Sequence, residues 1–113
     1  MLIGLDPLLT PDLLHALAAM GHGETIALVD ANYPATRGRR CIPLAGVDAP
    51  TALAAVLSLL PLDSFIANPA AVMRAVGAQA AMPPVVAALN AVLARHGAGP
   101  AKPLDRHAFY AAA

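Results

Sequence analysis

At 113 residues the chain offers one domain, residues 1–113, with a core of its own, and leaves no room for two. Its 7 basic and 7 acidic side chains cancel, so no global field draws in nucleic acid or an anionic membrane surface. With 58% hydrophobic and only 12% charged residues, it carries more apolar surface than so small a globule hides, and self-association is the expected outlet.

The opening run to Asp6 has no basic residue ahead of its apolar part, which speaks against a secretory signal. Thr10, Pro11 and Asp12 then form a helix start: a capping hydroxyl, a proline at the first helical position and an acid near the positive end. Leu13, Leu17 and Met20 recur on one face, and Gly21 is the expected stop. Thr25 to Val29 is β-branched and apolar without helical caps, and reads as a strand covered on both faces, with Asp30 at its C-terminal end. Residues 31–40 have a loop composition, with Asn32, Pro34, Gly38 and three arginines, before an apolar piece at Cys41 to Leu44 that reads as a second strand.

Asp48 and Pro50 open a second helix, whose face is Leu53, Val56, Leu57 and Leu60, and Pro61 closes it. Its uncharged stretch, Ala49 to Leu62, is shorter than the roughly 20 residues that a membrane span needs. Ser64 to Ala67 and Ala71 to Val76 read as short strands. Pro83-Pro84 starts a third helix with the stripe Val85, Leu89, Val92 and Leu93, ending at Arg95, His96 and Gly97. A Gly/Pro-rich connector, Ala98 to Pro103, leads into the first turns of a fourth helix at L-D-R-H-A-F-Y. Helices alternating with short strands predict a layered α/β domain. Cys41 is the sole cysteine, so no internal disulfide forms and a reducing, cytoplasmic setting is expected.

Two residues stand out chemically. His22 lies between two glycines after a helix, where its ring can reach a cleft, and imidazole changes charge near neutral pH, which suits giving and taking a proton. The simpler reading of a histidine there is that it does no more than pair with the free carbonyls of the helix end. Asp30 stands at a strand end, where α/β sheets place ligand contacts, and a carboxylate accepts from two hydroxyls. The other reading is a turn-forming aspartate ahead of Asn32 and Pro34. The run Arg37, Gly38, Arg39, Arg40 could hold a phosphate, but no aromatic residue is interleaved to stack bases, and a solvated surface loop is the simpler reading. His15, His96 and His107 are scattered without metal-ligand spacing, no nucleotide-phosphate loop occurs, and Ser58 and Ser64 lie outside any nucleophile-elbow pattern.

The run D-P-L-L-T-P-D-L-L-H-A-L-A-A-M-G-H-G-E, continuing through I-A-L-V-D-A-N-Y-P-A, resembles in order and spacing the opening of the L-fucose mutarotase and D-ribose pyranase family, nearer its fucose branch. L-P-L-D-S-F with Met73 and Val76, and then D-R-H-A-F-Y, are similar to the family's middle and late segments. The resemblance implies a three-layer α/β/α single domain with a mixed sheet. It also implies interconversion of the α and β anomers of L-fucose or a related monosaccharide, without cofactor or metal. By it, His22 matches the acid/base histidine, while Asp30 and Arg106 match substrate-binding residues. Ring-shaped homo-oligomers, up to decamers, with sites near subunit contacts are implied too. Family members continue into two further strands with a Tyr-x-Asn motif, which these 113 residues lack, so those C-terminal strands are expected to be missing. The rival expectations are a non-catalytic sugar-binding or assembly and transport-associated protein of the same fold, and nucleic-acid binding through Arg37 to Arg40.

Overall fold

The computed structural model describes residues 2–34, 39–74 and 82–113. The chain divides into two compact units, Met1–Leu60 and Pro61–Ala113.

The first unit is built on two helices, α1 (Pro11–Ala19) and α2 (Ala49–Leu57). Both start as the sequence predicts. The Thr10 side chain accepts from the Leu13 amide at 3.3 Å and that of Asp48 from the Thr51 amide at 2.8 Å, with a proline in each first turn. Leu9, Leu13 and Leu17 cluster with Ala55 and Val56 to form the core, each removed from water almost entirely. Burying a leucine contributes about 1.5–3 kcal/mol, so these side chains anchor the unit.

Two expected strands are absent here. Thr25 to Val29 and Cys41 to Leu44 have no ladder partner among the described residues. Burial alternates along both: Ile26, Leu28, Ile42 and Leu44 pack on the core while Thr25, Ala27, Val29, Cys41 and Pro43 face out. Each segment therefore covers the core with one face only, against the expectation that 25–29 is covered on both. An apolar, β-branched run is the composition of a strand, but a ladder also needs a partner backbone, and Pro43 has no N–H to give one.

The second unit contains a parallel pair, β1 (Ala71–Met73) and β2 (Lys102–Leu104), with Val72 opposite Pro103. Parallel strands need a crossover, and α3 (Pro84–Arg95) lies between them in the chain. Lys102 donates to the Ala70 carbonyl at 3.0 Å and Arg74 to the Leu104 carbonyl at 2.7 Å. The Asn90 side chain of α3 accepts from the Ala101 amide at 3.0 Å, pinning the entry to β2. A final helix, α4 (Arg106–Ala112), packs on both strands.

The third helix runs as predicted, but only Val92 and Leu93 of its stripe are buried, and Val85 is exposed. Strand β2 overlaps the end of what composition marks as a connector and takes in Leu104, where the sequence predicts the fourth helix to open. The strand expected at Ser64 to Ala67 is instead a series of bends, because the Asp63 carboxylate captures the Phe65 amide at 2.8 Å and turns the chain. Phe65 is left 89% exposed. Of the strand expected over 71–76, Ala71–Met73 forms, while Val76 lies outside the described residues. The α/β class stands. The sheet of the described residues is parallel, without the antiparallel member that a mixed sheet implies.

Candidate functional site

After α1 the chain leaves helical geometry at Met20, and Gly21 to Glu24 closes a turn of its own. The Glu24 amide donates to the Gly21 carbonyl at 3.2 Å, and Gly23, third in the turn, has φ +81°. A positive φ at that position, as a type II turn has, calls for glycine. The Glu24 carboxylate reaches back to the Gly21 amide at 2.6 Å, closing the turn a second time. Gly21 is thus not a left-handed helix stop; its amide serves the turn. His22 occupies the corner with its ring exposed. The structure gives it no bond to the last carbonyls of α1, so the helix-end pairing role is not the one taken.

Residues 25–29 lead from this turn to a second one. The Tyr33 amide donates to the Asp30 carbonyl at 3.2 Å, and the Asn32 amide to Asp30 Oδ1 at 2.9 Å. Asp30 therefore does form a turn, as one of its two readings has it. Its other oxygen, Oδ2, has no protein partner among the described residues and faces solvent. His22 and Asp30 lie in the same unit and are not hydrogen-bonded to each other. Arg106 belongs to the second unit, as the first residue of α4, exposed, behind an Asp105 cap that accepts from the Ala108 amide at 2.8 Å.

One cluster escaped sequence reasoning. Arg40 places Nη1 3.2 Å from His15 Nδ1 and Nη2 3.9 Å from Asp12 Oδ1, tying the basic loop to α1. These groups are exposed, so the tie is weak. It gives one arginine of the run a partner within the protein, whereas Arg37 and Gly38 lie outside the described residues. Only the spacing of Asp12 and His15 on one helix face hints at it. Among the described residues, no three histidine, cysteine or acidic groups converge as metal ligands would.

The profile of the RbsD / FucU transport protein family matches residues 3–113. The chain belongs to this family. Similar relatives include fucose mutarotase of Homo sapiens, 49% identical over 77 residues, which are 65% of this chain and 50% of that protein. Fucose mutarotase of Bos taurus is 40% identical over 114 residues, 95% of this chain and 74% of that protein. The crystal structure of FucU from Bifidobacterium longum superposes with a TM-score of 0.86 at 29% identity, covering 96% of this chain and 80% of that one. Against the human and mouse relatives, this RbsD / FucU chain spans about half of their length. Among its described residues, no helix is long and apolar enough to cross a membrane.

Proposed function

We propose that the chain is a sugar mutarotase that interconverts the α and β anomers of L-fucose or a closely related monosaccharide, with His22 as the proton carrier. The observation that carries this reading is the doubly closed G-H-G-E turn, which holds at its corner an exposed imidazole with no hydrogen-bond partner among the described residues. The relatives named fucose mutarotase support the choice of reaction and sugar.

Mutarotation opens a cyclic hemiacetal. A base takes the proton of the anomeric hydroxyl, an acid protonates the ring oxygen as its bond to the anomeric carbon breaks, and the aldehyde recloses from its other face. Every proton removed is returned, so the reaction needs only a group that accepts and gives one near neutral pH, as imidazole does. Positioned proton transfer contributes about 10²- to 10⁴-fold. Asp30 offers Oδ2, which has no protein partner among the described residues, as an acceptor for sugar hydroxyls; Arg106 offers forked donors for charge-assisted bonds to the sugar. Residues 1–113 act in this as one domain, within a homo-oligomer up to the size of a decamer. The large exposed apolar side chains support association, and the lone, exposed Cys41 supports a reducing, cytoplasmic setting.

The test is NMR saturation transfer between the two anomers of L-fucose. The protein accelerates exchange over buffer, and His22→Ala loses about 10²-fold or more of that acceleration. Equal exchange in buffer, wild type and variant would overturn the reading, and sugar binding without exchange would indicate a non-catalytic binding protein.

A further inference from the structure

The second unit holds a cavity of about 270 Å³ between the loop that follows Pro61 and the C-terminal end of α3. None of His22, Asp30 and Arg106 lines it. Three polar side chains do: Asp63, Ser64 and His96. Asp63 spends Oδ1 on the Phe65 amide and keeps Oδ2 available. The Ser64 hydroxyl and the His96 ring have no protein hydrogen-bond partner among the described residues, so the cavity presents acceptors and donors together. Leu62, Ile66 and Pro69 supply an aliphatic wall.

The floor at the helix end is fixed. Gly97 takes φ +79°, its amide donates to the Ala94 carbonyl at 3.1 Å, and the Ala98 amide donates to that of Leu93 at 3.1 Å. This is a Schellman closure, which satisfies the Leu93 and Ala94 carbonyls and fixes the backbone at His96. Neither lysine nor arginine lines the cavity, which disfavours phosphates and carboxylates, and no Phe, Tyr or Trp ring offers a stacking face for a base. The volume lies just under the roughly 300–1,000 Å³ usual for drug-sized ligands, so the space suits a single ring.

We propose that this cavity is a second ligand site, separate from His22, for a neutral polyhydroxylated ring of monosaccharide or cyclitol size. Its hydroxyls bond to Asp63, Ser64 and His96, and its C–H face lies on Leu62, Ile66 and Pro69. The proposal stands on the cavity alone and does not depend on the mutarotase reading.

The experiment is an amide ¹H–¹⁵N titration of the full chain with methyl α-L-fucopyranoside, a locked glycoside that cannot mutarotate, and with myo-inositol. The expected result is saturable shifts at the Ser64, Gly97 and Gly99 amides with at least one probe. They persist in His22→Ala and weaken in affinity about tenfold or more in Asp63→Asn and His96→Ala, the loss of one bond to a charged or polar group. Asparagine keeps the oxygen that accepts from the Phe65 amide, so the Asp63→Asn loop still folds, and the spectrum of each variant reports this directly. Unmoved amides with both probes, equal affinities in all variants, shifts that vanish in His22→Ala, or a stronger response to inorganic phosphate would each overturn the proposal.

Discussion

His22 owes its exposure to its neighbours more than to itself. Gly23 bears the left-handed conformation that lets the turn close, with nothing within 4 Å of where a Cβ would lie. A side chain there meets only backbone strain, which costs about 1–2 kcal/mol for most residues and less for asparagine, whose short polar chain tolerates that region. Gly23→Ala should therefore lower the urea midpoint measurably, and Gly23→Asn should recover part of the loss; if the two variants were equally stable, the strain account would be wrong. Asp30 separates structure from binding in a similar way. Asparagine at this position keeps the oxygen that accepts from the Asn32 amide and removes the charge at the other. Asp30→Asn should melt within a degree or two of wild type, about 0.5 kcal/mol or less, yet bind L-fucose more weakly by calorimetry. Unchanged affinity would leave Asp30 a turn residue alone.

At the scale of elements, the caps carry the most legible signals. Thr10, Asp48 and Gly97 each sit where the sequence places a helix boundary, because capping is a local transaction between a side chain or a left-handed residue and amides or carbonyls a few positions away. The Asp48 carboxyl is held below its ordinary value of 3.8 by the Thr51 hydroxyl first and the Thr51 amide second. A carboxyl depressed in the folded state contributes stability above its unfolded value, and that contribution is lost as pH falls through the folded one. Amide exchange along α2 should thus quicken below about pH 4 relative to the rest of the unit, and Asp48→Ala should remove that acid-dependent step. Strands were harder to read. Residues 25–29 and 41–44 show the alternation of a strand without a ladder partner among the described residues, while β2 straddles the end of a proline-containing connector and is masked by it, because its pairing depends on Ala70 and Arg74, some thirty positions away. The same divide runs through the site. The G-H-G-E and D-A-N-Y turns are local and readable, whereas the tie of Arg40 to α1 and the cavity beside His96 join positions far apart in the chain and arise only once it has folded.

For the whole molecule the governing fact is apolar surface without charge to keep copies apart. Ile3, Phe65 and Met82 are among the large side chains more than half exposed, and the formal charge sums to zero. Sedimentation velocity at rising concentration should show species heavier than the 11.4 kDa chain, and a single monomeric boundary throughout would refute association. Phe65 turns this into a chemical assay. It projects from a bend that has no ladder to protect its peptide bonds, so in an isolated chain chymotrypsin should nick there before reaching the buried leucines of α1. Should copies meet over that ring, the nick would slow as concentration rises, and the rate of one cleavage would report how much of the protein is assembled.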